Sequence, residues 1–165
     1  MDVRIISYVQ AHCHNRFTDF IFPLLSRMGN AGAVWLAAAA LLGYEKQTRD
    51  FAFILFFSLA LSHVISQILK PIIGRPRPFV ANPGVPLLIH TPGGYSCPSG
   101  HSSSSFAAAT VICLYNNHFG AAAFTLALLI AFSRVFLFVH YPSDTLAGSL
   151  LGVLCAFIVA NLYNL

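Results

Sequence analysis

The stretch that most constrains the fold is the apolar segment from Phe51 to Ile73. At about 1.5 Å per residue, a helix of this length crosses a hydrocarbon core of roughly 30 Å with some tilt. The whole chain agrees with this, because 57% of its 165 residues are hydrophobic and only 8% are charged. Soluble domains are about one quarter charged. The sequence therefore predicts a membrane protein.

Three further segments are long and apolar enough to be membrane helices: Ser99 to Tyr115, Gly120 to Val139 and Asp144 to Leu162. In the last, Gly148 and Gly152 form a GxxxG pair, which is typical of close helix packing. With the earlier segment Ala33 to Tyr44, we expect an all-α, polytopic helix bundle of about five to six membrane helices, folded as a single domain over residues 1–165.

The first 28 residues are harder to assign. Val3 to His14 has the spacing of a short interfacial helix, and the apolar run from Phe17 to Leu25 is interrupted by Asp19 and Pro23. We expect residues 1–28 to form interfacial or partly inserted helices. Polar residues within the first fifteen argue against a secretory signal peptide.

Two other properties exclude classes of function. The net charge of +4 is small and scattered, which argues against a nucleic-acid partner. The cysteines lack CxxC spacing, which argues against a metal site or a disulfide framework; they are Cys13, Cys97, Cys113 and Cys155. We expect Cys97 to be a packing residue and not a nucleophile, because no base is spaced to activate it.

The polar residues near the ends of the predicted spans form a pattern. Since successive spans alternate in direction, one group of ends lies on the same membrane face; it contains Lys70, Arg75, Arg77, Ser99, His101, Ser133, Arg134, His140 and Asp144. The long Pro- and Gly-rich loop 74–98 joins two of these ends, and loops of that length usually carry function. We interpret this loop as part of an active site.

Pro98-Ser99-Gly100-His101 opens a predicted helix, so it provides backbone N–H groups, a hydroxyl and an imidazole at one helix N-terminus. Taken alone, the tetrapeptide is better explained by Ser99 capping the helix. Taken with Lys70, Arg77 and Arg134, it describes a pocket for a multiply charged anion such as phosphate.

Two histidines add chemistry to such a pocket, because one imidazole can attack phosphorus while another protonates the leaving oxygen. Asp144 follows His140 by four residues, where a carboxylate can orient the imidazole. The sequence has no cluster of carboxylates of the kind that holds Mg²⁺ or Ca²⁺. We therefore predict a mechanism without a metal or other cofactor.

These residues resemble the type 2 phosphatidic acid phosphatase (PAP2) family in three motifs. Lys70 to Pro78 is similar to its K-x6-R-P signature, Pro98 to His101 to P-S-G-H, and Ser133 to Asp144 to S-R-x5-H-x3-D. The resemblance runs from about Phe51 to the end of the chain. Residues before Gly29 match nothing in it.

The resemblance implies a role for each matched residue. His140 would be the nucleophile that forms a phosphohistidine, Asp144 would orient it, and His101 would be the acid and then the base. The phosphoryl oxygens would be held by Lys70, Arg77, Ser99, Gly100 and Arg134. Arg75 lies outside the signature, and either substrate headgroup contact or solvation of the loop would explain it.

Each residue also has a purely structural explanation. Lys70 could extend from a helix end to water, Arg134 could pair with Asp144, and His140 with Asp144 could be a buried hydrogen-bonded pair. We expect the remaining histidines to be unremarkable; they are His12, His14, His63, His90 and His118. The structural explanations do not account for the gathering of these groups on one face.

The predicted substrate is a lipid phosphate or diphosphate whose tail stays in the bilayer. Chain length and the segment Arg77 to Ala81 resemble bacterial members that act on undecaprenyl diphosphate, which we prefer, with phosphatidylglycerophosphate or phosphatidic acid as the alternative. Once the site cations are set aside, Lys46 and Arg49 place the opposite face in the cytoplasm. We expect a multi-pass cell-membrane protein with an extracytoplasmic active site.

Two other classes of function were considered. A proton or ion pathway also uses charged residues within spans, but it needs them at successive depths. A vanadium-dependent peroxidase uses a similar anion pocket but resembles a large soluble protein.

Overall fold

The computed structural model describes residues 1–163, and within them the chain is helical, with the elements joined by turns and loops. The helices are α1 (Asp2–His12), α2 (Arg16–Met28), α3 (Ala33–Tyr44), α4 (Arg49–Ile73), α5 (Pro78–Ala81), α6 (Gly100–Tyr115), α7 (Asn117–Phe136) and α8 (Pro142–Leu162). Short 3-10 turns, Asn30–Gly32 and Lys46–Thr48, precede α3 and α4. The predicted all-α bundle is confirmed.

Three stretches of the described chain are helical, long and apolar enough to cross a membrane: Lys46–Ala81, Asn117–Phe136 and Pro142–Leu162. The pair Arg16–Met28 and Asn30–Tyr44, bent by 51°, makes a fourth if it is one broken span. Helix α6, which has 16 residues, packs among them. The chain is a multi-pass membrane protein with three candidate spans in the described residues, or four with the bent pair, so the predicted number of five to six is approximate.

Helix α6 lies at the centre of the bundle and packs against α4, α7 and α8. Its small residues allow this, since Ala107, Ala108 and Ala109 are fully buried. A Cβ on Gly148 or Gly152 of α8 would overlap backbone atoms of α6. The predicted GxxxG packing face is therefore confirmed, and it brings the start of α8 beside the start of α6.

The N-terminal region is helical. Helix α2 continues through Pro23 to Met28. The break comes at Gly29, where Ala31 and Gly32 adopt left-handed backbone angles of φ 50° and 69°. Trp35 then donates a hydrogen bond from Nε1 to Ser105 Oγ at 3.0 Å, which fixes α3 to α6.

Helix α1 lies across the end of α7. Its buried residues Ile6 and Val9 pack there, and Gln10 Nε2 donates to the carbonyl of Phe136 at 2.7 Å. The loop after α4 returns to the same end of the bundle, where the Ser96 N–H donates to the carbonyl of Arg75 at 2.9 Å. The helix ends that carry the predicted site residues thus meet beneath α1 and this loop.

Candidate active site

Most of the predicted site residues line one cavity of about 310 Å³ at this end of the bundle. Those that do are Lys70, Arg77, Gly100, His101, Arg134 and His140. Of the described residues lining the cavity, none is acidic. Three basic side chains enclosed by low-dielectric walls make this a site for an anion.

Arg77 is held rigidly at the wall of the cavity, and its side chain is only 3% exposed. It donates to the backbone carbonyls of Gly93 and Gly94 at 3.0 Å and of Val139 at 3.0 Å. The long loop is thereby fastened to the segment before α8. The same guanidinium lies 3.2 Å from Nε2 of His140.

That contact assigns the tautomer of His140. A guanidinium can only donate hydrogen bonds, so Nε2 is the acceptor and carries the lone pair. The proton of the neutral ring is therefore on Nδ1, which faces Oδ2 of Asp144 at 3.8 Å. Burial lowers the pKa of His140 to about 4, against the opposing effect of Asp144, so the ring is neutral near pH 7.

Asp144 is completely buried, and both its carboxylate oxygens are used. Oδ1 accepts a hydrogen bond from Arg75 at 2.7 Å, and Oδ2 accepts one from the Tyr141 N–H at 2.8 Å. Arg75 also stacks over the Tyr141 ring, 4.0 Å from its centre. Arg75 does not line the cavity; its side chain holds Asp144 in place, a contact that neither explanation from the sequence included.

Arg75 bridges Asp144 to the very start of the chain. Its other nitrogen donates to Asp2 Oδ2 at 2.8 Å, and the N–H of Ser143 donates to Asp2 Oδ1 at 3.1 Å. Burial raises the pKa of Asp2, but the hydrogen bonds from Ser143 and Arg75 outweigh burial and hold the pKa below its usual value. A carboxylate–guanidinium–carboxylate chain therefore runs from α1 to α8.

Arg134 is 3% exposed and points into the cavity from the last turn of α7. Its side chain donates to the hydroxyl of Ser26 in α2. Its carbonyl accepts from the N–H groups of Val139 and His140, both at 3.2 Å. Arg134 does not pair with Asp144, the alternative structural explanation, because the guanidinium on Asp144 in the described chain is that of Arg75.

His101 lies in the first turn of α6, against the break between α2 and α3. Its Nε2 is 3.0 Å from Oδ1 of Asn30. The approach is close enough that a Cβ on Gly29 would lie 2.8 Å from Cδ2 of His101. A glycine at position 29 is what allows the ring to sit here.

Ser99 and Gly100 occupy the N-terminus of α6 in different ways. Gly100 lines the cavity, as predicted. Ser99 is buried and does not line it; its hydroxyl accepts from the Ser102 N–H at 3.3 Å and the Ser102 hydroxyl at 3.0 Å. In this structure Ser99 is the helix cap that its sequence also allowed.

Several residues at the site had not been predicted. Asp2, Ser26 and Asn30 contact Arg75, Arg134 and His101, and they belong to a region with no recognisable motif. On α4, the side chains that line the cavity are His63, Ser66, Gln67 and Lys70. Their helical spacing put them on one face, a signal that could have been used. His63 and His90, which we expected to be unremarkable, each line a cavity.

The described residues offer little for a metal. No group of three or more His, Cys, Asp or Glu within residues 1–163 is placed to hold an ion. The cysteines are free thiols. Burial, with Asp144 adding to its effect, raises the pKa of the Cys97 thiol, which makes it a weaker nucleophile at neutral pH.

The similarity to known proteins covers the part of the chain that carries most of the site residues. A family model described as PAP2 superfamily matches residues 51–165. An undecaprenyl-diphosphatase of Sulfolobus acidocaldarius is 33% identical over 157 residues, which is 94% of this chain and 73% of the relative. A decaprenylphosphoryl-5-phosphoribose phosphatase of Mycolicibacterium smegmatis is 30% identical over 75% of this chain and 67% of the relative. Other curated relatives are matched over about half of their own length.

The fold has a close counterpart among solved structures. The crystal structure of Aquifex aeolicus LpxE superimposes with a TM-score of 0.85 and 26% sequence identity, covering 97% of this chain and 94% of that one. The match therefore includes the N-terminal helices, which precede the residues of the family model.

Proposed function

The chain belongs to the PAP2 superfamily of lipid phosphatases, and from this premise we propose that it hydrolyses a lipid diphosphate at its cation-lined cavity. The preferred substrate is undecaprenyl diphosphate, cleaved to undecaprenyl phosphate and inorganic phosphate. The observation that carries the proposal is the orientation of His140. Its unprotonated Nε2 meets Arg77 at the wall of a cavity built for an anion.

In the proposed reaction, His140 Nε2 attacks the terminal phosphorus, and a phosphohistidine forms as the bond to the bridging oxygen breaks. Asp144 stabilises the positive charge that develops on the ring, and the N–H of Tyr141 and the guanidinium of Arg75 keep that carboxylate in place. The 3.8 Å distance between Nδ1 of His140 and Oδ2 of Asp144 shortens as the imidazolium forms.

Arg77, Arg134 and Lys70 hold the phosphoryl oxygens, together with the N–H of Gly100 at the start of α6, while the buried Ser99 caps that helix. These donors are fixed before the substrate arrives, so little reorganisation is needed when charge builds up in the transition state. His101 gives its proton to the leaving oxygen. It then takes a proton from the water that hydrolyses the phosphohistidine, which restores both histidines.

The membrane setting supports a lipid substrate, because the cavity opens among apolar helices that can face the tail. The names of the relatives fit a polyprenyl lipid, since one is called an undecaprenyl-diphosphatase and another a decaprenylphosphoryl-5-phosphoribose phosphatase. Phosphatidylglycerophosphate and phosphatidic acid are the alternatives. With Lys46 and Arg49 at the far end of the bundle in the cytoplasm, the site faces the outside of the cell membrane.

The experiment is release of inorganic phosphate by the full chain in detergent, with a chelator present. Undecaprenyl diphosphate, phosphatidylglycerophosphate and phosphatidic acid are compared by kcat/KM at matched detergent mole fraction. The proposal expects the largest value with undecaprenyl diphosphate and no loss on chelation. Activity abolished by the chelator contradicts the metal-independent mechanism, and preference for either phospholipid contradicts the substrate.

A further inference from the structure

A second cavity of about 260 Å³ adjoins the first. Both are lined by His101 and Arg134, so these two side chains form the boundary between them. Arg27, Asn30 and His90 line the second cavity and not the first. We propose that it is the subsite for the second phosphate of a lipid diphosphate, the phosphate that stays on the lipid; this rests on the function proposed above.

The direction of His101 places the leaving oxygen on this side. Nε2 of His101 is 3.0 Å from Oδ1 of Asn30, and Asn30 lines the second cavity but not the first. An oxygen that receives the Nε2 proton must lie where Asn30 Oδ1 now accepts. The transferred phosphoryl group then sits against His140 in the first cavity, and the leaving group extends past His101 into the second.

The charge of the second cavity selects the leaving group. Arg27 comes from the last turn of α2, His90 from the long loop, and Arg134 from α7. A leaving alcohol such as a glycerol or sugar hydroxyl is neutral and gains nothing from these groups. A leaving phosphate monoester is an anion, which a guanidinium binds through paired hydrogen bonds.

In this step one bond to the terminal phosphorus forms and another breaks. The bond between His140 Nε2 and the terminal phosphorus forms, and the bond from that phosphorus to the bridging oxygen breaks. The bridging oxygen takes the proton of His101 Nε2. The products are the phosphohistidine in the first cavity and a lipid monophosphate whose phosphate lies against Arg27 in the second.

The test compares two substrates that differ only in the second phosphate, farnesyl diphosphate and farnesyl monophosphate, with the full chain in detergent. Arg27→Gln lowers the ratio of kcat/KM for the diphosphate to kcat/KM for the monophosphate by about tenfold, the effect of one lost charged hydrogen bond. His90→Gln lowers the ratio by about threefold. Arg27→Lys keeps most of the ratio, because the positive charge remains.

The control is Arg16→Gln, an exposed arginine at the other end of α2 that lines neither cavity; its ratio matches the wild type. The subsite is refuted if Arg27→Gln leaves the ratio unchanged or lowers both values equally. It is also refuted if only the double variant His63→Ala/Gln67→Ala lowers this ratio of kcat/KM values. That result would place the second phosphate along α4. A wild type that hydrolyses neither substrate overturns the proposed function itself.

Discussion

The helices after residue 49 and the segment before residue 33 contribute to the same cavity in different ways. The later helices supply the groups proposed to act on phosphate, which are Lys70, Arg77, His101, Arg134 and His140. The earlier segment supplies partners to those groups: Asp2 for Arg75, Ser26 for Arg134 and Asn30 for His101. The later region is proposed to act on the transferred phosphate, and the earlier one orients those groups and, through Arg27, binds the leaving phosphate.

This difference explains why sequence motifs identify the site residues after residue 49 but not their partners before residue 33. A nucleophile, a proton donor and a phosphate-binding cation are fixed in type and spacing by the reaction. An orienting partner needs only an oxygen at the right distance, which many residue types can supply from many backbone positions. The variants below test whether the two regions act in these different ways.

The largest effect is expected at His140. His140→Gln lowers kcat by at least about 10³-fold, because the attacking atom is lost. The matched control is His118→Gln, an exposed histidine at the start of α7 that lines none of the cavities near the site. The kcat of both variants is measured by phosphate release from undecaprenyl diphosphate. Near-wild-type activity of His140→Gln would show that His140 is not the nucleophile.

The protonation state of His140 gives a second test. With its pKa at about 4, against an ordinary value near 6.5, the ring stays neutral as the pH falls to 5.5 and gains its proton only around pH 4. NMR of ¹⁵N-histidine-labelled protein, assigned by the resonance missing in His140→Gln, follows this directly. Titration of His140 near pH 6.5 would contradict the lowering of its pKa by burial.

Among the orienting residues, Asn30 is expected to matter most. Asn30 Oδ1 holds Nε2 of His101 in the free enzyme and gives way to the leaving oxygen. Asn30→Ala therefore leaves the ring without this partner before the substrate binds and lowers kcat for undecaprenyl diphosphate by about tenfold. With p-nitrophenyl phosphate, whose leaving group needs no proton, the loss is much smaller. Equal losses with the two substrates would show that Asn30 acts on binding or folding and not through His101.

Gly29 tests the close approach of the two regions. Gly29→Ala places a methyl group 2.8 Å from both His101 Cδ2 and Ile130 Cγ2, and overpacking of this kind costs about 1–3 kcal/mol. We expect a lower Tm in detergent and reduced kcat. Gly43→Ala is the control, since its Cβ would make an ordinary 3.6 Å contact with Ala52. Equal Tm values for the two variants would contradict the packing of Gly29 on His101.

The smallest effect is expected at Asp2. Asp2→Asn removes one end of the chain that runs through Arg75 to Asp144, but the pair of Arg75 with Asp144 remains. Because Asp2 and Arg75 are partly exposed, we expect kcat to fall only about threefold. A loss as large as that of Asn30→Ala would give α1 a greater role than its contacts imply.

Much of the fold was predictable from the sequence, because the apolar segments and the GxxxG pair report directly on spans and packing. The structure also gathers Lys70, Arg77, Gly100, His101, Arg134 and His140 as the alternation of spans required. The position of Arg75 was not predictable, because a guanidinium near a motif can face either the substrate or a carboxylate. Its pairing with both Asp2 and Asp144 depends on where α1 packs.

The break at Gly29 shows a second limit. Asp19 and Pro23 interrupt the apolar run in the sequence, yet α2 passes through both and the chain turns at Ala31 and Gly32. Proline weakens a helix locally, but tertiary packing decides whether the helix ends there. The partners Ser26 and Asn30 lie beside that turn, so they came within reach of the site only through the three-dimensional fold.

The central proposal is that His140 carries the phosphoryl group and His101 then activates the water. The most direct measurement is acid-free trapping of protein labelled from ³²P p-nitrophenyl phosphate, followed by peptide mapping. We predict label on the peptide containing His140, more of it in His101→Gln because hydrolysis is slowed, and none in His140→Gln. Label on another residue, or steady turnover in His140→Gln, would contradict the account.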